Sequence, residues 1–296
     1  MHYLLYNPLA NNYHACDDIH KVLELHKEIN YEQIDITKLD LVKFLSDIDD
    51  DSSITILGGD GTLSNFASNY QKCKINNPIY LFHGGSGNDF LNDIAKGKME
   101  IQINKYLQNI PYVIINDKEY RYINNVGYGI DGQVCEEADI LKAKGKKKIS
   151  YTLIALKLLL GKYKTRKAKI TVDGITKEYN HVWLAASMNG QYYGGGMMVA
   201  PGQDRLSNTL SLVVMSCKNR LIALINFPKI FKGNLIKKKK LVHIYKGKEI
   251  EVEFDIPCAL QIDGETFLNV SKYKAYIKWK QNRLVLFYYY ICFFFK

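Results

Sequence analysis

No two of the six cysteines are close enough in sequence to form a C-x-x-C pair, and no histidines accompany them at ligand spacing. Cys16, Cys73, Cys135, Cys217, Cys258 and Cys292 are scattered over 296 residues, which argues against a disulfide framework or a zinc site and for reduced, mostly packed thiols. Internal repeats, low-complexity linkers and nucleic-acid-binding motifs are also missing. The start, MHYLLYNPLANN, has no basic n-region and meets Pro8 and paired asparagines before a long apolar run can build, so it does not read as a signal peptide and the expected location is the cytosol. A membrane-spanning run is lacking too. In the tail LVLFYYYICFFFK twelve consecutive apolar residues are too few to cross a bilayer as a helix, but enough for a buried strand or an interfacial segment.

A composition of 47% apolar and 24% charged residues is that of a soluble globular chain, long enough for two domains. The net charge of +10 implies an anionic partner, and lysines cluster at KAKGKKK (142–148) and KKKK (237–240). Neither cluster is interleaved with aromatics that could stack on bases. An anionic membrane surface therefore fits better than nucleic acid.

Up to about residue 115 the pattern alternates strand and helix. HYLLYN, YEQIDIT, SITIL and PIYLF read as strands. DDIHKVLELHKEI, capped by its aspartate pair, KLDLVKFLSDI and a stretch from about Leu63 to Tyr70 read as helices. This succession predicts an α/β domain with a parallel sheet over residues 1–115. From 116 to 280 short strands and tight turns predict an all-β sandwich, with helices near 149–161 and 220–232. Hairpins are expected in YVIINDKEYRYINNV, across Asp173-Gly174 and across Lys246-Gly247-Lys248.

In SITILGGDGT an apolar strand ends in Gly58-Gly59 and a helix follows, which is where open α/β sheets bind ligands. Glycines let backbone N–H groups approach phosphate oxygens, and a helix N-terminus adds favourable partial charge. Asp60 would repel phosphates unless a cation lies between, most simply Mg²⁺. GGSGNDF repeats the design after PIYLF, with Ser86 and Asp89, so two strand ends could face one nucleotide. Neither turn matches a Walker loop or a Rossmann fingerprint.

GGDGTLSNF followed by GSGNDF resembles the diacylglycerol kinase catalytic family, which includes bacterial diacylglycerol and related lipid kinases and sphingosine kinases, within a superfamily that also holds NAD kinases. YNP, NNVGYGIDGQV (124–134), NGQYYGGGMMVAP (189–201) and QIDGETF (261–267) follow in the family's order. The resemblance implies an N-terminal NAD-kinase-like α/β domain, a C-terminal β-sandwich, and residues 281–296 returning to the first domain. It implies that ATP contacts Asn7, Pro8, Leu9, Ala10 and Asn11, Thr37, Gly58, Gly59, Asp60, Gly61, Thr62, Leu63, Ser64 and Asn65, together with Ser86 and Asp89. Asp60 and Asp89 would hold the catalytic Mg²⁺ through water, with Asp131 in the YGIDG turn as a further acid.

A lipid hydroxyl is a poor nucleophile until its proton is accepted, so phosphoryl transfer needs a carboxylate beside the acceptor. If DGE is extended, Asp263 and Glu265 project to one side. The resemblance makes them the base and its partner, with Glu265 the usual proton acceptor; the sequence leaves the choice open. A second, structural Mg²⁺ site normally reads DGxLDV. Here Ser207 and Ser211 replace its aspartates, leaving Asp204 and the carbonyls near Ser207 and Thr209 to compensate. Leu9-Ala10-Asn11 replaces a Ser-Gly, and Leu91-Asn92 replaces an Ala-Arg whose cation would face phosphate.

The function expected is an ATP- and Mg²⁺-dependent lipid kinase that phosphorylates a hydroxyl of diacylglycerol or a related lipid. It would work at the inner face of the membrane as a peripheral protein, without nucleic acid, and as a homodimer if it follows its bacterial relatives. The alternatives are a catalytically weak lipid- or nucleotide-binding protein of the same fold, and NAD kinase, which GSGNDF and QIDGE oppose.

Overall fold

LLY, ITIL and IYLF become neighbouring parallel strands because each is apolar on both faces and so requires cover on both. The computed structural model describes residues 1–10, 15–73, 75–84, 88–146 and 148–278. In it β1 (His2–Tyr6), β3 (Ser53–Gly58) and β4 (Ile79–His83) form the centre of a five-stranded sheet. Parallel β2 (Tyr31–Asp35) and antiparallel β5 (Glu100–Gln102) complete the order β2-β1-β3-β4-β5. Alternation along the strands sends Leu4, Leu57 and Phe82 toward Ile19 and Val22 of α1 (Ala15–Leu25). It sends Leu5, Ile56 and Leu81 the other way, into a core with Leu45 of α2 (Leu41–Asp47) and Leu63 and Phe66 of α3 (Asp60–Cys73). Phe90 of α4 (Asp89–Ile94) and Leu107 of α5 (Asn104–Leu107) join that second core.

Two boundaries differ from expectation. Helix α1 begins at Ala15, so the aspartate pair lies in its first turns rather than capping it. Helix α3 begins at Asp60, three residues early, because only Gly59 separates it from β3.

The second sheet begins at β6 (Tyr112–Ile115), slightly before the expected boundary, because β6 pairs with the late strand β16 (Glu265–Tyr276). Its other strands are β7 (Lys118–Arg121), β8 (Asn125–Gly129), β9 (Arg166–Val172), β10 (Ile175–Met188), β13 (Leu210–Ser216), β14 (Val242–Gly247) and β15 (Glu249–Ile262). A separate small ribbon pairs β11 (Tyr192–Tyr193) with β12 (Met197–Met198). The long strands β10 and β15 are both bridged by β9 at one end and by β8 at the other. Register shifts in β10 and β15 bend the sheet over its own core, in which Tyr128, Ile170, Leu212, Val252 and Tyr273 are buried. Its outer face is covered by α6 (Ile130–Ala143), by α7 (Tyr151–Lys157) with a π-helical turn at Leu158–Lys162, and by α8 (Arg220–Asn226) with a 3-10 turn at Phe227–Lys232.

Asn116-Asp117, Asp173-Gly174 and Asp263-Gly264 each have positive φ at both positions, which makes them type I′ hairpin turns. The third of these corrects the extended reading of DGE: Asp263 and Gly264 are the turn itself, and Glu265 opens β16. Lys246-Gly247-Lys248, by contrast, is not a hairpin. No residue there has positive φ; β14 pairs with β13 while β15 pairs with β9 and β16. Asp173 Oδ1 accepts the N–H groups of Lys248 and Glu249, both at 2.9 Å, and so steers the chain across. Asn11, Ser86 and the returning segment 281–296 lie outside the described residues. Among those described, Cys73, Cys135, Cys217 and Cys258 are free thiols, and no helix is long and apolar enough to cross a membrane.

Candidate active site

The carboxyl ends of β1, β3 and β4 are adjacent, so the segments after them converge. Asn7 follows β1 and donates through Nδ2 to Thr62 Oγ1 at 2.9 Å, tying the first loop to the first turn of α3. Gly58 makes that contact possible: a Cβ there would sit 2.6–2.8 Å from three side-chain atoms of Thr62. Gly58→Ala should therefore displace Thr62 and cost about 1–3 kcal/mol in a urea titration. Gly58, Gly59, Asp60, Leu63, Asn88 and Leu91 line a narrow crevice between the first glycine turn and the start of α4. Thr37, at the edge of the same end, is exposed, and its N–H and hydroxyl both donate to Asp35 Oδ1 at 2.9 and 2.6 Å.

Asp60 caps the next helix. Its Oδ2 accepts from the N–H of Asp89 at 2.9 Å, and its Oδ1 from the N–H of Phe90 at 3.0 Å and from Asn124 Nδ2 at 3.1 Å. Asp89 reaches into the second domain, where its oxygens accept the N–H groups of Gly195 and Gly196 at 2.8 and 2.7 Å. Burial, then the neighbouring Asp60 carboxylate, raises Asp89 to about 6, against these hydrogen bonds and the Arg205 cation. Two acids held side by side, each with lone pairs to spare, have the chemistry to hold a hydrated Mg²⁺.

Asp131 does not join them directly. It lies in the first turn of α6 rather than in a free turn, where it accepts from the Tyr193 hydroxyl at 2.6 Å; desolvation raises it to about 7. Among the described residues no three histidine, cysteine or acidic side chains converge as a metal site.

The expected second metal site does not fit its residues. Ser207 Oγ donates to the Asp204 carbonyl at 2.6 Å and to the Thr209 carbonyl at 3.1 Å. Gln203 Nε2 donates to the same two carbonyls at 3.2 and 2.8 Å. The buried Ser211 hydroxyl holds Gln203 Oε1 at 2.6 Å. Hydroxyl and amide donors thus occupy the oxygens a cation would need. Asp204, Ser207 and Thr209 form a hydrogen-bonded loop, not a ligand set.

Asp263 holds the domains in register. Its Oδ1 accepts from the N–H groups of Asn124 at 2.8 Å and Asn125 at 3.1 Å, and its Oδ2 from the N–H of Ile123 at 2.6 Å and from Ser64 Oγ at 3.0 Å. Burial pushes its carboxyl up while these bonds push it down. Glu265, two residues on, is exposed, and among the described residues no side-chain hydrogen bond ties down its carboxylate.

Sequence reasoning missed the ion pair behind this site. Arg205 Nε meets Asp93 Oδ2 at 2.5 Å with both side chains buried, its Nη1 donates to the Ile123 carbonyl and its Nη2 to Asn124 Oδ1, and its guanidinium stacks 4.4 Å from the Phe90 ring. It supplies from the other domain a cation near Asp89, where Asn92 supplies none. Beside Gly129, a cavity of about 260 Å³ is lined by Gln133, Glu136, Tyr163, Arg166 and Cys258 among others. Tyr163 Oη and Arg166 Nε are buried at its wall without hydrogen-bond partners.

Residues 2–114 match the model of the diacylglycerol kinase catalytic domain, and residues 124–275 that of the YegS C-terminal NAD kinase beta sandwich-like domain. A Staphylococcus epidermidis protein bearing a provisional lipid kinase name is 27% identical over 253 residues, 79% of this chain and 78% of that one. A Mycobacterium tuberculosis protein named diacylglycerol kinase is 24% identical over 70% of this chain and 72% of its own. The structure of a Bacillus anthracis protein, provisionally named a diacylglycerol kinase, superposes with a TM-score of 0.67 at 21% identity, covering 94% of this chain and 92% of the other, and shows the same fold. With both domain models matched in order, and with Asp60, Asp89 and the Asp263-Gly264 hairpin drawn to one junction, the chain belongs to the diacylglycerol kinase catalytic-domain family of lipid kinases.

Proposed function

We propose that the protein transfers the γ-phosphoryl group of ATP to a hydroxyl of diacylglycerol or a related lipid, with Mg²⁺. The observation that carries this reading is the Ser64–Asp263 hydrogen bond, which pins the tip bearing Glu265 onto the helix that opens the glycine turn. Nucleotide phosphates would lie over Gly59–Asn65 and the start of α4, where N–H groups and the helix start favour anions. Bound Mg²⁺, held through water by Asp60 and Asp89, would neutralise charge on the phosphates.

The lipid hydroxyl oxygen bonds to the γ-phosphorus as the bond to the β,γ-bridging oxygen breaks, and that electron pair leaves with ADP. The hydroxyl proton goes to Glu265. Asp263 is unsuited to receive it, because four donors already occupy its two oxygens; it is a positioning residue. The cavity beside Gly129, with Tyr163 Oη and Arg166 Nε as donors, offers a seat for polar atoms of the acceptor.

The test is transfer of labelled γ-phosphate from ATP into a total lipid extract with Mg²⁺. A labelled lipid formed by the wild type and lost in Asp60→Ala and Glu265→Ala supports the reading and identifies the acceptor by its mobility. No labelled lipid, with ATP still bound by the wild type, overturns it in favour of a binding protein of the same fold.

A further inference from the structure

Charge in this chain is segregated by sequence. Residues 140–172 and 205–248 hold 22 of the 40 Lys and Arg residues and none of the 30 Asp and Glu; elsewhere 18 basic residues face all 30 acids. These two acid-free stretches supply α7 with its π turn and α8 with its 3-10 turn. The two are joined where Arg220 donates to the carbonyls of Leu159 and Tyr163.

Each helix buries one side in the core beneath it: Ile154, Leu158 and Leu159 from α7 and its turn, Ala223 and Ile230 from α8 and its turn. The opposite sides are also apolar. Leu153, Leu156 and Leu160, at helical spacing, are exposed, and so are Leu221, Ile222 and Ile225. In α8, of seven residues, only Ala223 is fully buried. Core packing does not account for these side chains, and single scattered exposures would not place six on two touching helices. Exposed Lys157, Lys218, Lys232 and the run Lys237 to Lys240 lie on or beside the same elements.

We propose that this lysine-rimmed apolar face docks on an anionic lipid bilayer, with the leucines and isoleucines entering the headgroup boundary and the lysines meeting lipid phosphates. Charge complementarity selects this partner. An anionic leaflet attracts each nearby lysine, and buried apolar area supplies the part of binding that salt does not screen. A protein partner would have to be as uniformly acidic over the same area. Tyr163, buried just after the π turn of α7, and Arg166, the first residue of β9, both line the cavity beside Gly129, which places that cavity next to the α7 segment of the docking face. The inference rests on the lipid kinase reading only for its purpose, since binding is measured without ATP or turnover.

The experiment is sedimentation of the full chain with vesicles of phosphatidylglycerol and phosphatidylcholine, against phosphatidylcholine alone. It uses wild type, Leu221→Glu/Ile225→Glu, Lys237→Gln through Lys240→Gln, and Ile175→Glu. Leu221 and Ile225 are 64% and 70% exposed, so folding should survive, as thermal melts would verify. Ile175 is 70% exposed but sits beside the β9–β10 hairpin turn and serves as control. Expected are binding to the anionic vesicles at least tenfold tighter than to phosphatidylcholine, a loss of tenfold or more in the double glutamate variant, a smaller and salt-sensitive loss in the glutamine variant, and wild-type binding by Ile175→Glu. The proposal is overturned if the wild type does not bind anionic vesicles, or if the double glutamate variant binds like the control. It is also overturned if that variant only converts a dimer to a monomer by size exclusion with vesicle binding intact, which would give the face to a second copy of the chain.

Discussion

Glu265→Gln should lower lipid phosphorylation about 10²–10⁴-fold at saturating ATP while leaving the melting temperature and nucleotide affinity near wild type. The residue is exposed, and among the described residues no side-chain hydrogen bond holds its carboxylate, so an amide there removes a proton acceptor and little else. Asp263→Asn should behave differently. An amide can accept through one oxygen only, so N–H groups of Ile123, Asn124 and Asn125, with the Ser64 hydroxyl, would compete for one atom and meet an NH₂ at the other position. Stability and activity should then fall together. Ser64→Ala provides the graded case, losing a single bond to Asp263. Kinetics paired with urea titrations of the three variants check the assignment; equal losses of stability in Glu265→Gln and Asp263→Asn would remove the distinction between base and positioning residue.

Arg205→Met should cost about 3–5 kcal/mol of unfolding free energy, the largest stability effect expected of a single substitution here. The guanidinium satisfies Asp93, the Ile123 carbonyl and Asn124 at once, and its removal leaves a carboxylate buried without its cation. Gln191 softens the loss, since its N–H and side-chain amide also donate to Asp93, at 3.2 and 2.9 Å. The double variant Arg205→Met/Asp93→Leu should recover much of the loss, because a hydrophobic pair of similar volume avoids the desolvation of both charges. Denaturant unfolding of the wild type, both single variants and the double variant closes the cycle; strict additivity would show that the pair is not coupled.

The first sheet, its turn at Gly58-Gly59 and two of the three type I′ hairpins were legible because their signals are local. An apolar run followed by Gly58-Gly59 or an Asp173-Gly174 pair dictates its own backbone. Helix α6 was not legible, because Gly127, Gly129 and Gly132 crowd its start. They are there for packing: a Cβ at Gly132 would strike the Ala259 carbonyl, and one at Gly127 would meet Asp131 and Gln261. Residues that weaken a helix in isolation were demanded by the strand beneath it. In the same way Asp263-Gly264 reads locally as either a strand or a turn, and what decides is three N–H groups about 140 residues away. Nothing local joins Arg205 to Asp93, since the bond spans 112 positions.

The Asp263 clamp also has a consequence for the order of synthesis. Among the described residues the five-stranded sheet and its helices are complete by Leu107, so this sheet can fold while the rest is still being made. At about 5–20 residues per second, Glu265 follows roughly 8–30 s later. During that interval a nascent chain holds the Gly58-Gly59 turn without the Asp263 clamp or Glu265. On the kinase reading, the site is completed only when the β15–β16 hairpin closes onto Ser64.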